Sequence, residues 1–157
     1  MQLSDAGLQL IKTSEGFRSS TYIDATGNAT IGYGHKLLPG ESFPNGITEA
    51  QGEQLLAADV NRAEHAVAGF VKVELTQGQF DALVDFCYNL GPGKLQTSTL
   101  LRDLNAGNYD GAHQQLLLWD HAGTAVLPGL KIRREAEFAL WSGSSSPVPP
   151  PDAPLAA

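Results

Sequence analysis

The sequence predicts an α+β fold, mostly α-helical, with one small β-hairpin sheet near its N-terminus and two lobes joined by a long helix. Three features predict it. Between residues 21 and 35, two short strand-like runs flank the turn Thr26-Gly27-Asn28, the pattern of a hairpin. Two Thr-x-x-Gln signatures, Thr48 to Gln51 and Thr76 to Gln79, each precede an apolar stripe at helical spacing, which marks a capped helix start. Three shorter helical patterns follow downstream.

Taken in order, Ser4 is an N-cap, and Leu3, Leu8, Ile11 and Lys12 keep helical spacing up to Gly16, a natural stop. Glu15 therefore falls in the last turn of a first helix. Tyr22-Ile23-Asp24 and Thr30-Ile31-Gly32-Tyr33 are the strand runs, with Asp24 and Thr30 expected to face each other on one side of the hairpin. Residues 39–46 read as a loop. The helix opened by Thr48 runs to about Gly69 on a stripe of Leu55, Leu56, Val60, Ala63 and Val67. The helix opened by Thr76 carries Phe80, Leu83, Val84, Phe86 and Cys87, and stops at Asn89-Leu90-Gly91-Pro92-Gly93. Shorter helices are expected at about 98–105, 109–118 and 130–141, with no repeat of fixed period. Residues 1–142 make one domain, with a first lobe at about 14–48, a connecting helix at 48–69 and a helical lobe at 70–142. Residues 143–157 are a different kind of chain. They begin Gly-Ser-Ser-Ser-Pro-Val-Pro-Pro-Pro, and Asp152 is their only charge, a composition that buries no core. A linker, a weak partner ligand and a neutral tail all fit, and the neutral tail is the favoured reading.

At 157 residues the chain can bury a core without staples. Its single cysteine, Cys87, excludes an internal disulfide and sits in an apolar run, where a buried structural thiol is expected. A net charge of −7 argues against nucleic acid as a partner. No apolar run approaches a membrane span, so no stable membrane association is expected, and the N-terminal residues have no signal-peptide pattern. His35, His65, His113 and His121 show no metal-ligand spacing, so neither a metal nor another cofactor is expected.

The chemistry concentrates in Glu15, Asp24 and Thr30. Two carboxylates and a hydroxyl around a tight turn are the parts needed to protonate a glycosidic oxygen and to aim water at the anomeric carbon. Glu15 is the candidate general acid. The negative end of the helix macrodipole and partial burial both favour the protonated form of a carboxyl group there. Asp24 would stay ionised to stabilise oxocarbenium charge, and Thr30 would hold the water. A neutral third group leaves room for water in place of a nucleophile, so inversion at the anomeric carbon is expected. Taken singly, these residues read as a helix-end glutamate, a turn aspartate and a strand threonine; their joint register carries the functional reading.

That register is Glu15-Gly16, then Tyr22-x-Asp24-x-x-Gly27-x-x-Thr30-Ile31-Gly32-x-Gly34-His35. It resembles the active-site hairpin of the phage-type lysozymes, the endolysin muramidases of glycoside hydrolase family 24. The resemblance covers about residues 4–142. It continues through Leu75-Thr76-x-x-Gln79-Phe80-Asp81-Ala82-Leu83-Val84, Phe86 to Gly91, Ser98 to Leu101, Asn105-Ala106-Gly107, Trp119, Gly129-Leu130 and Arg133-Arg134-Glu135. It implies a lysozyme-like two-lobed fold and hydrolysis of the β-1,4 bond between N-acetylmuramic acid and N-acetylglucosamine in bacterial peptidoglycan, leading to host lysis. It also implies a monomer that waits in the host cytoplasm and reaches the wall through a holin-type membrane pore. By resemblance, Tyr88, Thr99 and Lys36 would touch saccharide, and Arg133 or Arg134 would pair with Glu15. Taken singly, each arginine could equally sit on a solvated helix face. His35 is expected to be a structural, hydrogen-bonded histidine. One departure stands out: His121 to Val126 has Thr124 where many relatives place a second glycine, so that loop is expected to differ in shape.

Two rival readings are weaker. A lytic transglycosylase needs one carboxylate and no water-positioning pair, so Asp24 and Thr30 speak against it. A non-catalytic peptidoglycan-binding module would have no use for an acid at Glu15 with both partners present. For the C-terminal segment, deleting residues 143–157 is expected to leave the melting temperature and the activity on purified peptidoglycan nearly unchanged. A fall of several degrees, or a specific loss of binding to insoluble peptidoglycan, would instead mark a docked or wall-binding element.

Overall fold

The computed structural model describes residues 1–143, so the Pro/Ser-rich tail, apart from Gly143, lies outside the described residues. Along the chain run α1 (Asp5–Glu15), β1 (Arg18–Ile23), β2 (Ala29–Gly32), β3 (His35–Lys36), α2 (Glu49–Phe70) and α3 (Gln77–Leu90). They are followed by α4 (Pro92–Gln96), α5 (Thr99–Asn105), α6 (Tyr109–Leu116), β4 (His121–Ala122), β5 (Ala125–Val126) and α7 (Pro128–Trp141).

The helix starts follow their caps. The Ser4 hydroxyl accepts from the Gly7 amide. Thr48 and Thr76 form complete capping boxes, in which the Gln51 and Gln79 side chains return bonds of 2.8 and 2.9 Å to the cap amides. Each box satisfies two amide donors that the helix itself leaves open.

Helix α2 joins two cores. Its buried positions Gly52, Leu56, Val60, Ala63 and Val67 form one stripe, with Leu55 only half-buried at its edge. Leu56 and Val60 pack with Ile11 and Tyr33 in a small core beside the sheet. Ala63 and Val67 enter the larger core of α3 to α7. Helix α3 runs through that larger core and is buried continuously from Phe80 to Cys87, including Asp81 and Asp85. A helix buried on every side sits at the centre of its lobe, and α1, α2 and α7 surround it. Trp141 packs on the domain as its apolar character suggests, its ring stacked 5.4 Å from that of His113.

The local differences from the sequence reading have simple causes. The first sheet has three antiparallel strands in the order β1-β2-β3. Its third strand is only two residues long, too short to show alternation. The Gly91-Pro92 pair ends one helix and starts another. Gly91, with φ of 92°, closes α3 through its amide to the Cys87 carbonyl, and Pro92 opens α4, a position where its missing amide costs nothing. Around Gly123, two-residue strands form a second small ribbon in place of a plain loop.

Helix α3 approaches α7 at Gly78, where an added Cβ would lie 2.0 Å from the Leu140 carbonyl oxygen. Gly78→Ala is therefore expected to destabilise the fold by about 1–3 kcal/mol, the usual cost of overpacking, although alanine is the better helix former. Chemical denaturation would check this; an equal or raised midpoint would mean that α7 yields freely.

Candidate active site

Glu15 is the last residue of α1, and its side chain is 6% exposed. Arg133 Nη1 donates to its Oε1 at 2.7 Å. Its other oxygen, Oε2, lies against the backbone of Gly34, where an added Cβ would come within 2.5 Å. Gly34 also has φ of 75°, so both space and backbone conformation require glycine. Arg133 is itself fixed by Asp85, which accepts from Nε at 2.9 Å and from Nη2 at 2.8 Å. Burial alone would discourage charge on Arg133, but Asp85 and Glu15 outweigh it and hold the guanidinium firmly protonated.

Of the arginine pair, Arg133 is therefore the partner of Glu15. Arg134 turns the other way, donating to Glu137 Oε1 at 2.6 Å, to Asn89 Oδ1 at 2.8 Å and to the Trp119 carbonyl at 3.4 Å. Both arginines are fully buried. The solvated helix face fails for both, because α7 packs this face against α3.

In the hairpin, β1 and β2 pair Tyr22 with Thr30 and Ile23 with Ala29. Asp24 therefore opens the turn, its amide bonded to the Asn28 carbonyl, and is not directly opposite Thr30 as the sequence reading expects. Asp24 Oδ1 accepts from the Thr26 amide at 2.9 Å, the Thr26 hydroxyl at 2.7 Å and the Asn28 amide at 2.8 Å. Burial pushes the Asp24 carboxyl up, but these bonds and the Lys36 ammonium 3.9 Å from Oδ2 outweigh it and hold it below the usual carboxylate range. The Thr30 hydroxyl, almost wholly buried, donates to the Asn28 carbonyl at 2.9 Å.

These elements meet in one groove lined by Glu15, Tyr22, Asp24, Thr30, Gly34, Lys36, Tyr88 and Asn89. A cavity of about 360 Å³ continues it, sharing Gly34, Lys36, Tyr88 and Asn89 and extending to Leu38, Asp59, Arg62 and Pro92. Tyr88 is held by a 2.6 Å bond from its hydroxyl to the Tyr33 carbonyl, which ties α3 to the sheet. Thr99 opens α5, its hydroxyl accepts a 3.3 Å bond from Arg102, and it lines neither of these two cavities. His35 is structural, with Nδ1 2.7 Å from Asp59 and Nε2 2.6 Å from Glu41. Both partners are acceptors, so both bonds form only with imidazolium. Burial opposes that charge, but the two carboxylates prevail and raise the His35 pKa. Cys87 is buried and its thiol is pushed up to about 11 by burial alone, which suits an inert packing role.

Three site residues escape the sequence reading. Tyr22 stands two positions before Asp24 on the same strand face, so alternation alone places it beside the groove. Asn89 follows Tyr88 in the downstream run. Asp85 is signalled only by its oddity, as an acid inside the apolar run Phe80 to Cys87.

A helical body with a small sheet at one edge, and a helix-end glutamate in the groove between them, is the lysozyme-like arrangement. The phage lysozyme family model matches residues 12–137. The solved endolysin from Escherichia coli O157:H7 phage FAHEc1 is 38% identical with a TM-score of 0.83, covering 94% of this chain and 97% of that one. The muramidase domain of SpmX from Asticaccaulis excentricus is 35% identical with a TM-score of 0.82, over 89% of this chain and 97% of that one. The endolysin of Bacillus phage B103 is 43% identical over 94% of this chain, which spans only 57% of that relative's length. The chain belongs to the phage lysozyme family.

The sign of the His35 effect is fixed by its raised pKa. A raised folded-state pKa contributes stability that is fully present below the unfolded value, about 6.5, and is lost as pH rises through the folded value. His35→Gln is therefore expected to lower stability most in mildly acidic solution, with the difference from wild type shrinking towards alkaline pH. Denaturation midpoints across that range would check it, and a constant difference would mean that the clamp does not depend on the imidazolium.

Proposed function

We propose that this protein is a muramidase that hydrolyses the β-1,4 bond between N-acetylmuramic acid and N-acetylglucosamine in peptidoglycan, with inversion. The observation that carries the reading is the convergence of Glu15, Asp24 and Thr30 on one groove. Membership of the phage lysozyme family supports it, as does the likeness to a muramidase domain.

Arg133 occupies Glu15 Oε1, so Oε2, on the groove side at Gly34, delivers the proton to the glycosidic oxygen as that bond breaks. Asp24, a residue of the groove lining, has Oδ1 saturated by three donors, while Oδ2 has only the Lys36 ammonium, at 3.9 Å, among the described residues. Water on the opposite face of the sugar donates to Asp24 Oδ2 and to Thr30 Oγ1, whose own proton is committed to the Asn28 carbonyl. As water bonds to the oxocarbenium carbon it becomes acidic, and Asp24 accepts its proton even though its pKa is low. A water on one face and an acid on the other give inversion.

Among the described residues, no helix is long and apolar enough to cross a membrane. On this reading the protein acts on the wall of a phage host as a monomer. It reaches that wall through a holin-type pore.

Glu15→Gln is expected to cut the rate of peptidoglycan digestion by about 10²–10⁴-fold while leaving the fold intact. Asp24→Asn and Thr30→Val should each lose less. Retention of more than about half the wild-type rate by Glu15→Gln would remove it as the acid. Mass analysis separates the chemistries, because hydrolysis adds water to each cut whereas transglycosylation leaves 1,6-anhydro ends. Release of no ends at all would indicate a binding module.

A further inference from the structure

Two guanidiniums and three carboxylates share the interface of α1, α3 and α7. Arg133, Arg134, Asp85 and Glu137 are all 0% exposed, and the Glu15 side chain is nearly so. A buried carboxylate oxygen that no donor reaches carries a penalty. One oxygen of this cluster stands in that position. Glu137 Oε1 accepts from Arg134, but the buried Oε2 receives no hydrogen bond from any donor among the described residues. The group it faces is Asp85, another acceptor whose oxygens already receive Arg133. An ionised Oε2 would be undonated and beside a like charge. A protonated Oε2 becomes a donor, and Asp85 can accept it.

We propose that Glu137 holds a proton in the resting protein, donates it to Asp85, and so acts as a positioning residue for Glu15 through the relay Glu137-Asp85-Arg133-Glu15. Its functional consequence rests on the muramidase reading. The groups facing Glu137 fit this state. Helix α7 contributes Arg133 and Arg134, α3 contributes Asp85 and the Asn89 amide, and α1 contributes Glu15 beyond Arg133. From α6, His113 stacks on Phe138 and bonds to its carbonyl, and so turns away from the cluster. Burial first, and then the Asp85 charge, raise the Glu137 pKa well above the ordinary glutamate value against the pull of Arg134. Removing that proton at alkaline pH places two carboxylates in contact and loosens Asp85, the anchor of the arginine that fixes Glu15.

Two measurements decide it. In a carbon-13 NMR titration of the wild-type chain, the assigned Glu137 carboxyl resonance is expected at its protonated position at neutral pH, moving only in alkaline solution. An ionised resonance at neutral pH would overturn the proposal, and this measurement needs neither a variant nor activity. In pH–rate profiles on purified peptidoglycan, Glu137→Gln, which is permanently neutral and keeps a donor, should move the alkaline limb up by at least about one pH unit. Activity relative to each protein's own maximum would then be at least about fivefold higher one unit above the wild-type midpoint. An unmoved limb in a folded variant would overturn the positioning role. A chain with no lytic activity at all would remove the muramidase reading instead, leaving the carbon titration to decide where the proton sits.

Discussion

Arg133 is the joint on which the site depends. Its guanidinium offers a planar fork to Asp85 of α3 and one further nitrogen to Glu15 of α1, so a single side chain fixes the relation of three helices. Ion pairs of this kind add little net stability, because desolvation offsets most of the attraction. Removing one partner is different, costing about 3–5 kcal/mol by leaving the others charged and unpaired. The pairing therefore works as a constraint on geometry. Apolar packing would allow α1 to slide or rotate by small amounts, whereas a fork with two fixed acceptors does not.

The other wall of the groove is built by different means. Its strands are short and much of β1 is exposed, so the sheet has little apolar burial of its own to define it. Its position comes from three attachments: His35 bonded to Asp59 of α2, Tyr88 of α3 bonded to the Tyr33 carbonyl, and Ile31 and Tyr33 buried beneath it. Because α2 serves both cores, a displacement at one end is felt at the other. The groove is therefore set by helix α2 as much as by the hairpin that displays Asp24 and Thr30.

Much of this was legible in the sequence because capping and periodicity are local. Ser4, Thr48 and Thr76 begin their helices as their hydrogen-bonding chemistry requires, and Gly16 ends α1 where its positive φ permits. The spacing of Glu15, Asp24 and Thr30 likewise brought all three to the groove. What escaped was set by distant packing. Asp85, Arg133, Arg134 and Glu137 are charged, and charge in a helix ordinarily signals water. The resemblance anticipated an arginine of this pair beside Glu15, but only the docking of α7 on α3 reveals that Asp85 holds Arg133 and that Glu137 holds Arg134. Thr99 was placed by resemblance, with no local feature to test it, and lines neither of the two cavities that share Tyr88. The two-residue offset of Asp24 from the partner of Thr30 depends on strand register, which a six-residue spacing does not determine.

The pairing of Glu15 with Arg133 joins residues 118 positions apart, and this bears on the order in which the protein becomes functional during synthesis. Helix α1 leaves the ribosome well before α3 and α7, yet its seat is made by α3 and closed by α7, the last helix among the described residues. Long-range closure of this kind is slow compared with local helix formation, and at about 5–20 residues per second the wait for α7 lasts several seconds. Throughout that interval the nascent chain can hold its hairpin and the long α2 helix while Glu15 has no cation to fix it. The groove is completed only once α7 has emerged, so a chain interrupted before α7 would be a scaffold without its fixed acid.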